Sequence, residues 1–380
     1  MDQKEQGFDF DQRPFLVIWE TTRACDLACI HCRASADSRR APDELNFEEG
    51  VKLIDDVREM GTPILIFSGG DCLKRDDLTR LIAYAKSVGL RTGAIPAVTS
   101  NLTERKIAEL KEAGLDQIAF SLDAAKAADH DIFRQTTGVF ERTLKCIDQA
   151  NQAGLRVQIN SLINVHNENQ LDGLMDLIDS FDLVFWEIFF LVPVGRGEDI
   201  PLMTADKFEE AFEKIYKYSQ GVKFITKITE APHYRRFCHE QTASAHLKQK
   251  LERTSTPTLP DDLRMPHYPR KGIQRAPAGV NSGKGFAFVS YRGDIMPSGF
   301  LPLAAGNIRQ DSLADIYRES TLFKTLRNTS LLEGRCGVCT YKDVCGGSRA
   351  RAYAMTGNYL GEDPCCSYQP KNSEQSEHRV

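Results

Sequence analysis

Phe15-Leu-Val-Ile-Trp19-Glu-Thr-Thr-Arg-Ala-Cys25-Asp-Leu-Ala-Cys29-Ile-His-Cys32 is an apolar run followed closely by three cysteines in C-x3-C-x2-C spacing. A short run of β-branched and aromatic residues reads as a buried strand. In parallel α/β barrels, the loop after the C-terminal end of a strand is where chemistry sits. Three thiolates on one short loop can take three corners of an iron–sulfur cube. The fourth corner then lacks a protein ligand, the kind of open position that catalytic metal sites keep. The alternative is a zinc knot with His31 as fourth ligand, although adjacent His31 and Cys32 are awkward around one tetrahedral ion.

The residues on either side repeat one pattern. Apolar strand-like runs at 15–19, 63–67, 92–97, 117–121, 156–164 and 183–192 alternate with amphipathic helix patterns at 47–60, 78–88, 103–113, 140–153 and 171–181. Asn46 with Glu49 three residues on has capping-box spacing. Gly89, Gly114 and Gly154 stand where helices can stop. Six strands alternating with helices predict parallel βαβ units, rolled by right-handed crossovers into a partial (β/α)6 TIM-type barrel. After Pro193 the pattern changes: a helix over 207–218, a polar, proline-bearing loop or lid over 240–285, and a hairpin over 286–296. The expected α/β organisation is a flexible N-terminus at 1–12, a barrel at 13–235, a linker or lid at 236–285, a small C-terminal domain with the second cysteine cluster at 286–370 and a disordered tail at 371–380.

Composition narrows the function classes. Of 380 residues, 27% are charged and the net charge is −5, so no global basic field points to nucleic acid. No run of 18 apolar residues suggests a membrane span. Met1 to Arg13 lacks the pattern of a signal peptide, so a cytoplasmic location is expected. Eleven cysteines are present, eight of them in two clusters near the two ends. In a reducing compartment, such clustering points to metal ligands more than to disulfides.

A second motif, Ser68-Gly69-Gly70-Asp71, follows the second strand. Its glycines let backbone approach a ligand closely, and a carboxylate beside them can accept from an ammonium. Gly279-Val-Asn-Ser-Gly283-Lys284 imitates a phosphate-binding loop, but its glycines are one residue too close and no Ser or Thr follows the lysine.

With Cys25, Cys29, Cys32 and the glycine motif on the page, the chain resembles the radical S-adenosylmethionine (SAM) superfamily. The resemblance implies that those cysteines hold a [4Fe–4S] cluster whose open iron chelates SAM, and that one-electron reduction yields a 5′-deoxyadenosyl radical. Gly69, Gly70 and Asp71 stand where that family has Gly-Gly-Glu-Pro, which binds the methionyl amine. The chain departs by Asp71 and Cys72. The resemblance also implies contacts from Ser121 to the SAM ribose and from Arg134 to its carboxylate, with Asn160 a further polar candidate and residues 191–194 beside the adenine.

Cys336, Cys339 and Cys345 form C-x2-C-x5-C, and Cys365 and Cys366 follow about twenty residues later. This segment resembles the SPASM/twitch-like auxiliary-cluster domain of radical SAM enzymes. The resemblance implies one auxiliary [4Fe–4S] cluster, with four thiolates and no open position. Asp363-Pro-Cys365-Cys366 makes Cys366 the better fourth ligand and leaves Cys365 open. Ser298 and Ser348 stand where a second auxiliary cluster would need cysteines, so one such cluster is expected. A structural zinc ribbon is the alternative.

Arg13-Pro-Phe15, Glu230-Ala-Pro-His-Tyr-Arg-Arg236, Gly306-Asn-Ile308 and Gly346-Gly-Ser-Arg-Ala-Arg351 carry a resemblance to a SPASM subgroup. That subgroup includes haem and d-type haem biosynthesis enzymes and the mycofactocin peptide maturase. It implies hydrogen abstraction from a carboxylate-bearing substrate, with tetrapyrrole side chains first. His233, Arg235 and Arg236 are candidate carboxylate partners. The alternatives are a maturase of ribosomal peptides and, from another class, a non-catalytic electron carrier or zinc protein. The expected partners are a small-molecule or peptide substrate and an external one-electron reductant such as flavodoxin or ferredoxin.

Overall fold

A computed structural model of the chain describes residues 8–252 and 279–370. The tail at 371–380, most of the N-terminal segment and the larger part of the expected lid lie outside the described residues. Strands β1 (Leu16–Glu20), β2 (Ile64–Ser68), β3 (Arg91–Ala94), β4 (Gln117–Ser121), β5 (Arg156–Ile163), β6 (Phe185–Phe190) and β7 (Ile225–Thr229) are joined in parallel in that order. Helices α1 (Phe47–Glu59), α2 (Leu78–Ser87), α3 (Glu104–Glu112), α4 (Ala127–Arg134), α5 (Val139–Gln152), α6 (Leu171–Ile178) and α7 (Ala205–Ser219) fill the crossovers. α8 (Tyr234–Glu252) follows β7.

Local signals explain these elements. At α1, the Asn46 side chain accepts from the Glu49 N–H at 2.8 Å, and Glu49 Oε2 accepts from the Asn46 N–H at 2.9 Å. This reciprocal cap satisfies two donors that a helix start leaves free. Its apolar stripe, Leu53, Ile54 and Val57, is fully buried against the sheet. Gly50 lets the helix approach Trp19, because a Cβ there would lie 2.6 Å from the indole ring. Burying stripes of this kind, at about 1.5–3 kcal/mol per large aliphatic side chain, is what fixes helices on the sheet.

The sheet differs from the expectation at both edges. β7 supplies a seventh parallel strand; its residues are all half-buried, so it carries no sharp apolar signal. At the other edge, β8 (Phe286–Val289) pairs in parallel with β1. The expected hairpin is present as β8 with antiparallel β9 (Asp294–Met296), and β10 (Gly306–Asn307) pairs with β9. The order is therefore β10-β9-β8-β1-β2-β3-β4-β5-β6-β7. Residues 240–252, expected to be loop, continue α8. The C-terminal segment then adds α9 (Leu313–Glu319), α10 (Thr321–Arg327), α11 (Gly334–Gly337) and α12 (Arg349–Thr356).

The curved parallel sheet is a partial barrel. It encloses a cavity of about 270 Å³ lined by β1, β2 and β8 on one side and by β4 to β7 on the other. No helix among the described residues is long and apolar enough to cross a membrane.

Candidate functional site

The cysteine loop leaves the C-terminal end of β1 and is held from several directions. Thr21 N–H donates to the Ser68 carbonyl at 2.9 Å, Gly70 N–H to Thr22 O at 2.8 Å, and Asp71 N–H to Ala24 O at 2.6 Å. The glycine motif thus forms the wall against which the loop is laid. A Cβ at Gly70 would come within 2.4 Å of Ala24 O and 2.6 Å of Arg23 O, so this approach requires glycine. On the outer side, Arg196 Nε donates to Cys29 O at 2.9 Å, and Ile30 N–H donates to the last turn of α4 at Phe133 O.

The sulfurs of this loop are hydrogen-bond acceptors. Leu27 N–H points to Cys25 Sγ at 3.4 Å, Ala36 N–H to Cys32 Sγ at 3.5 Å, and Arg134 Nη1 to Cys29 Sγ at 3.7 Å. Burial pushes the Cys25 thiol up to about 12 and also raises Cys29, the latter against the field of Arg134.

The C-terminal cysteines show the same feature. Cys336, Cys339, Cys345 and Cys366 line one small void of about 30 Å³. Their sulfurs take donors from Arg349 Nη2 at 3.6 Å, Tyr341 N–H at 3.4 Å, Gly347 N–H at 3.4 Å and the Tyr368 backbone. Cys365 points elsewhere: it is buried, and its Sγ donates to Met203 O at 3.9 Å. Cys146, read as a core residue, likewise donates, to Leu102 O at 3.9 Å. N–H donors aimed at sulfur suit a thiolate that holds a metal, whereas a sulfur donating to a carbonyl keeps its proton. Cys72 also takes backbone donors but stands outside both groups, fully buried, so the three loop cysteines and the four around the void are the ones that fit iron–sulfur ligation. Among the described residues, no three His, Cys, Asp or Glu side chains converge tightly enough for a single metal ion. The four C-terminal thiols surround a void instead.

The other anticipated residues are placed differently. Asp71 is fully buried, and its carboxylate accepts from Leu73 N–H, Ala97 N–H, Thr99 Oγ1 and Asn101 Nδ2 at 2.9–3.3 Å. Those four donors fill about the four acceptor sites a carboxylate has, so Asp71 ties the loops after β2 and β3 together. Burial raises its pKa while the same donors oppose the rise. Arg134 donates from Nε at 2.9 Å and from Nη2 to Asp123 Oδ2. Asp123 in turn accepts from Leu162 N–H at 2.9 Å. Burial opposes ionisation of Asp123, yet Arg134 and two neighbouring histidines hold its pKa below the usual range. His31 stacks on Phe133 with centroids 4.1 Å apart, and burial lowers its pKa to about 3. Leu191 and Val192 are buried at the end of β6.

Ser121 and Asn160 share a strand register that continues to Glu187 on β6 and Lys227 on β7. Gln158 Nε2 bridges to Asn160 Oδ1 at 2.6 Å and to Glu187 Oε2 at 3.1 Å. Glu187 Oε1 accepts from Lys227 Nζ at 2.7 Å and Thr229 Oγ1 at 2.6 Å. Gln158, Glu187, Lys227 and Thr229 of this ladder line the cavity together with Ile18, Ile66, Phe286 and Phe288. Arg33, next to Cys32, also lines the cavity, pairing with Glu20 at 2.5 Å and lying 4.8 Å over the Phe288 ring.

Of the three proposed carboxylate partners, Arg235 lines this cavity. Arg236 is 5% exposed and committed to Glu209 and Glu240. His233 is fully buried, lines the thiol void and packs on Phe208 and Phe212. Sequence reasoning missed Arg33, Glu187, Lys227 and Glu230. A charge inside the apolar run 183–192 was the available signal for Glu187.

Comparisons with known proteins give the family and the fold. The pattern of the Radical SAM superfamily matches residues 19–179. The chain is 36% identical to an AdoMet-dependent heme synthase of Oleidesulfovibrio alaskensis, over 96% of this chain and 90% of that protein. It is 35% identical to one from Methanosarcina barkeri over 94% and 97%, and 27% identical to a pre-heme d1 synthase of Dinoroseobacter shibae over 92% and 85%. In fold it is similar to Streptococcus suis SuiB bound to its precursor peptide SuiA, with TM-score 0.68, 14% identity, and coverage of 94% of this chain and 76% of that one. It is also similar to anSMEcpe with bound AdoMet, with TM-score 0.64, 12% identity, and coverage of 92% and 93%.

Proposed function

The chain belongs to the radical SAM superfamily, an enzyme class that uses a [4Fe–4S] cluster and SAM, and from that premise we propose that it modifies a carboxylate-bearing tetrapyrrole held in the barrel cavity. In this reading Cys25, Cys29 and Cys32 hold the SAM-binding cluster, and Cys336, Cys339, Cys345 and Cys366 hold one auxiliary cluster. Bound there, the cluster and SAM supply one-electron cleavage of SAM and removal of a hydrogen atom from the substrate.

The chain's own residues do the rest. Gly69 and Gly70 seat the cysteine loop, and Asp71 braces the glycine motif from behind. Arg134 places a positive charge and a donor at Cys29. Ser121 and Asn160 present polar groups at the upper barrel rim for SAM, and Arg134 with Asp123 closes that side.

The observation that carries the substrate reading is the mixed lining of the cavity. Its apolar lining includes Ile18, Ile66, Phe286 and Phe288, and its charged lining is Arg33, paired with Glu20, together with Lys227, Arg235, Glu187 and Glu230. An apolar lining that also presents Arg33, Lys227 and Arg235 suits a flat amphipathic molecule with carboxylate arms. The relatives named heme synthases support the same substrate class. The likeness to SuiB and anSMEcpe is one of fold and carries no substrate. An external one-electron reductant of the flavodoxin or ferredoxin kind completes the proposal.

The test is anaerobic incubation of the reconstituted protein with SAM, dithionite and Fe-coproporphyrin III. The expected result is 5′-deoxyadenosine release that rises with added tetrapyrrole, together with a tetrapyrrole product of changed mass. Deoxyadenosine without any change in the tetrapyrrole overturns the substrate reading.

A further inference from the structure

Glu230 stands just after β7 with φ of 58°, a left-handed conformation that non-glycine side chains rarely adopt. Such a conformation persists only where the surroundings over-determine it. Here two groups from α12, far along the chain, do so. Ser348 Oγ donates to Glu230 Oε2 at 2.6 Å across 118 residues of sequence. Arg351 Nη2 donates to the Glu230 carbonyl oxygen. Glu230 itself lines the barrel cavity.

The same two residues also reach the thiol void. Ser348 N–H donates to Asp363 Oδ2 at 2.8 Å, and Arg351 Nη1 pairs with Asp363 at 3.1 Å. Asp363 lines the void with Cys366, whose N–H donates to the Asp363 carbonyl at 3.2 Å. Ser348, Arg351 and Asp363 are each 1% exposed or less. Arg351 Nε further donates to Leu191 O, just past the end of β6, at 3.2 Å. A buried network of this kind is rigid, because each unmade bond in it is costly. One short chain of hydrogen bonds therefore joins the cavity wall to the four-thiol site.

We propose that Glu230 is a substrate-carboxylate-binding residue of the barrel cavity and that Ser348 is the positioning residue that aims it from the auxiliary segment. The proposal rests on the tetrapyrrole reading above. Burial raises the Glu230 carboxyl above its ordinary range, against the Ser348 hydrogen bond and the Arg351 charge. Lining the cavity beside Lys227, which pairs with Glu187 at 2.7 Å, and Arg235, which donates to the Val280 and Val344 carbonyls, the Glu230 carboxyl in its protonated form can donate a hydrogen bond to a substrate carboxylate. A glutamine keeps that donor, and an alanine removes it. The hydroxyl of Ser348 then does two tasks at once: it caps α12, accepting from Arg351 N–H at 3.1 Å, and it orients Glu230.

The experiment is binding of Fe-coproporphyrin III to the full-length reconstituted protein, followed by the visible absorbance of the tetrapyrrole. It is run on wild type, Glu230→Gln, Glu230→Ala, Ser348→Ala and Ser348→Thr, with iron content and substrate-free SAM cleavage measured alongside. Glu230→Gln is expected to bind within about threefold of wild type, and Glu230→Ala about tenfold or more weakly. Ser348→Ala is expected to weaken binding about three- to tenfold, with Ser348→Thr restoring it. Iron and substrate-free SAM cleavage should stay at wild-type levels in all four. A purely structural role for Ser348 would instead lower iron or SAM cleavage. Wild-type affinity in Glu230→Ala or Ser348→Ala, or failure of threonine to restore it, overturns the inference alone. Failure of wild type to bind overturns the tetrapyrrole reading and this inference with it.

Discussion

Arg134 Nη1 lies 3.7 Å from Cys29 Sγ while the rest of its guanidinium is committed to Asp123 Oδ2. One residue at the end of α4 thus serves both a buried carboxylate and the sulfur of a proposed cluster ligand. The Asp123 side chain is 2% exposed, so the pair has little solvent to fall back on.

Removing the cation strands that carboxylate. Arg134→Ala is expected to destabilise the protein by about 3–5 kcal/mol, the usual cost of breaking a buried pair from one side. Arg134→Lys keeps the charge but loses the fork. It should fold, and the N-terminal cluster should show a more negative midpoint potential because a donor to sulfur is gone. Anaerobic urea unfolding and redox titration check the two variants; a potential equal to wild type removes the proposed contact.

The glycine motif makes a separate claim. Gly70→Ala would drive a Cβ to 2.4 Å from the Ala24 carbonyl, and both partners are backbone. The cysteine loop must then lift, so reconstituted iron should fall by about half, one cube of four, with SAM cleavage lost. Asp71→Ala removes the acceptor of the part-buried N–H groups of Leu73 and Ala97 and of the buried Thr99 hydroxyl, whose loss alone costs about 1–3 kcal/mol. Its loss should therefore appear first in stability and only through that in SAM affinity. Weakened SAM binding at unchanged stability would restore a direct role for the carboxylate.

Adjacent cysteines should behave as opposites. Cys366→Ala is expected to lose about four irons per chain. Cys365→Ala should keep all iron and cost about 1 kcal/mol in packing, since its sulfur is a small buried group against Met203. Iron analysis of the two purified variants decides, and loss of iron in the Cys365 variant reverses the assignment.

Buried histidine sets a pH dependence. His130 Nδ1 accepts the Asp123 N–H at 3.2 Å, and burial lowers its pKa from 6.5 to about 4. Below 6.5 the unfolded chain binds a proton that the folded chain refuses. Its contribution to stability is therefore complete above 6.5 and is lost as pH falls from 6.5 towards about 4, at up to about 1.4 kcal/mol per pH unit. His130→Gln, which can still accept at that position, should flatten the fall in urea midpoint between pH 7.5 and 5. Identical slopes in the two proteins refute this.

Much of the site was legible because its signals are local. C-x3-C-x2-C, Gly-Gly-Asp and C-x2-C-x5-C each lie within a dozen residues, and a short loop can present its ligands only one way. Strand and helix periods are equally local, and the capping box at Asn46 and the stops at Gly89 and Gly154 appear where they were read. β7 was missed because every residue in it is half-buried, which leaves no apolar run to see.

Sequence alone thus determined the alternating barrel and singled out the candidate cysteine sets, since both follow from periods and spacings of a few residues. Tertiary structure decided what depends on which strand lies beside which. β8 joins the barrel through β1, although the two are separated by about 270 residues. Strand register, which a single sequence does not display, puts Ser121, Asn160, Glu187 and Lys227 in one row. The backbone turn after Asp363 aims Cys366 into the void and Cys365 into the core. Asp71 acquired its four donors, and Glu230 its serine, only when distant loops closed on them. Side-chain direction and non-local pairing are properties of the packed chain, because the loop-closure cost that brings such groups together is offset only by the burial of the whole barrel.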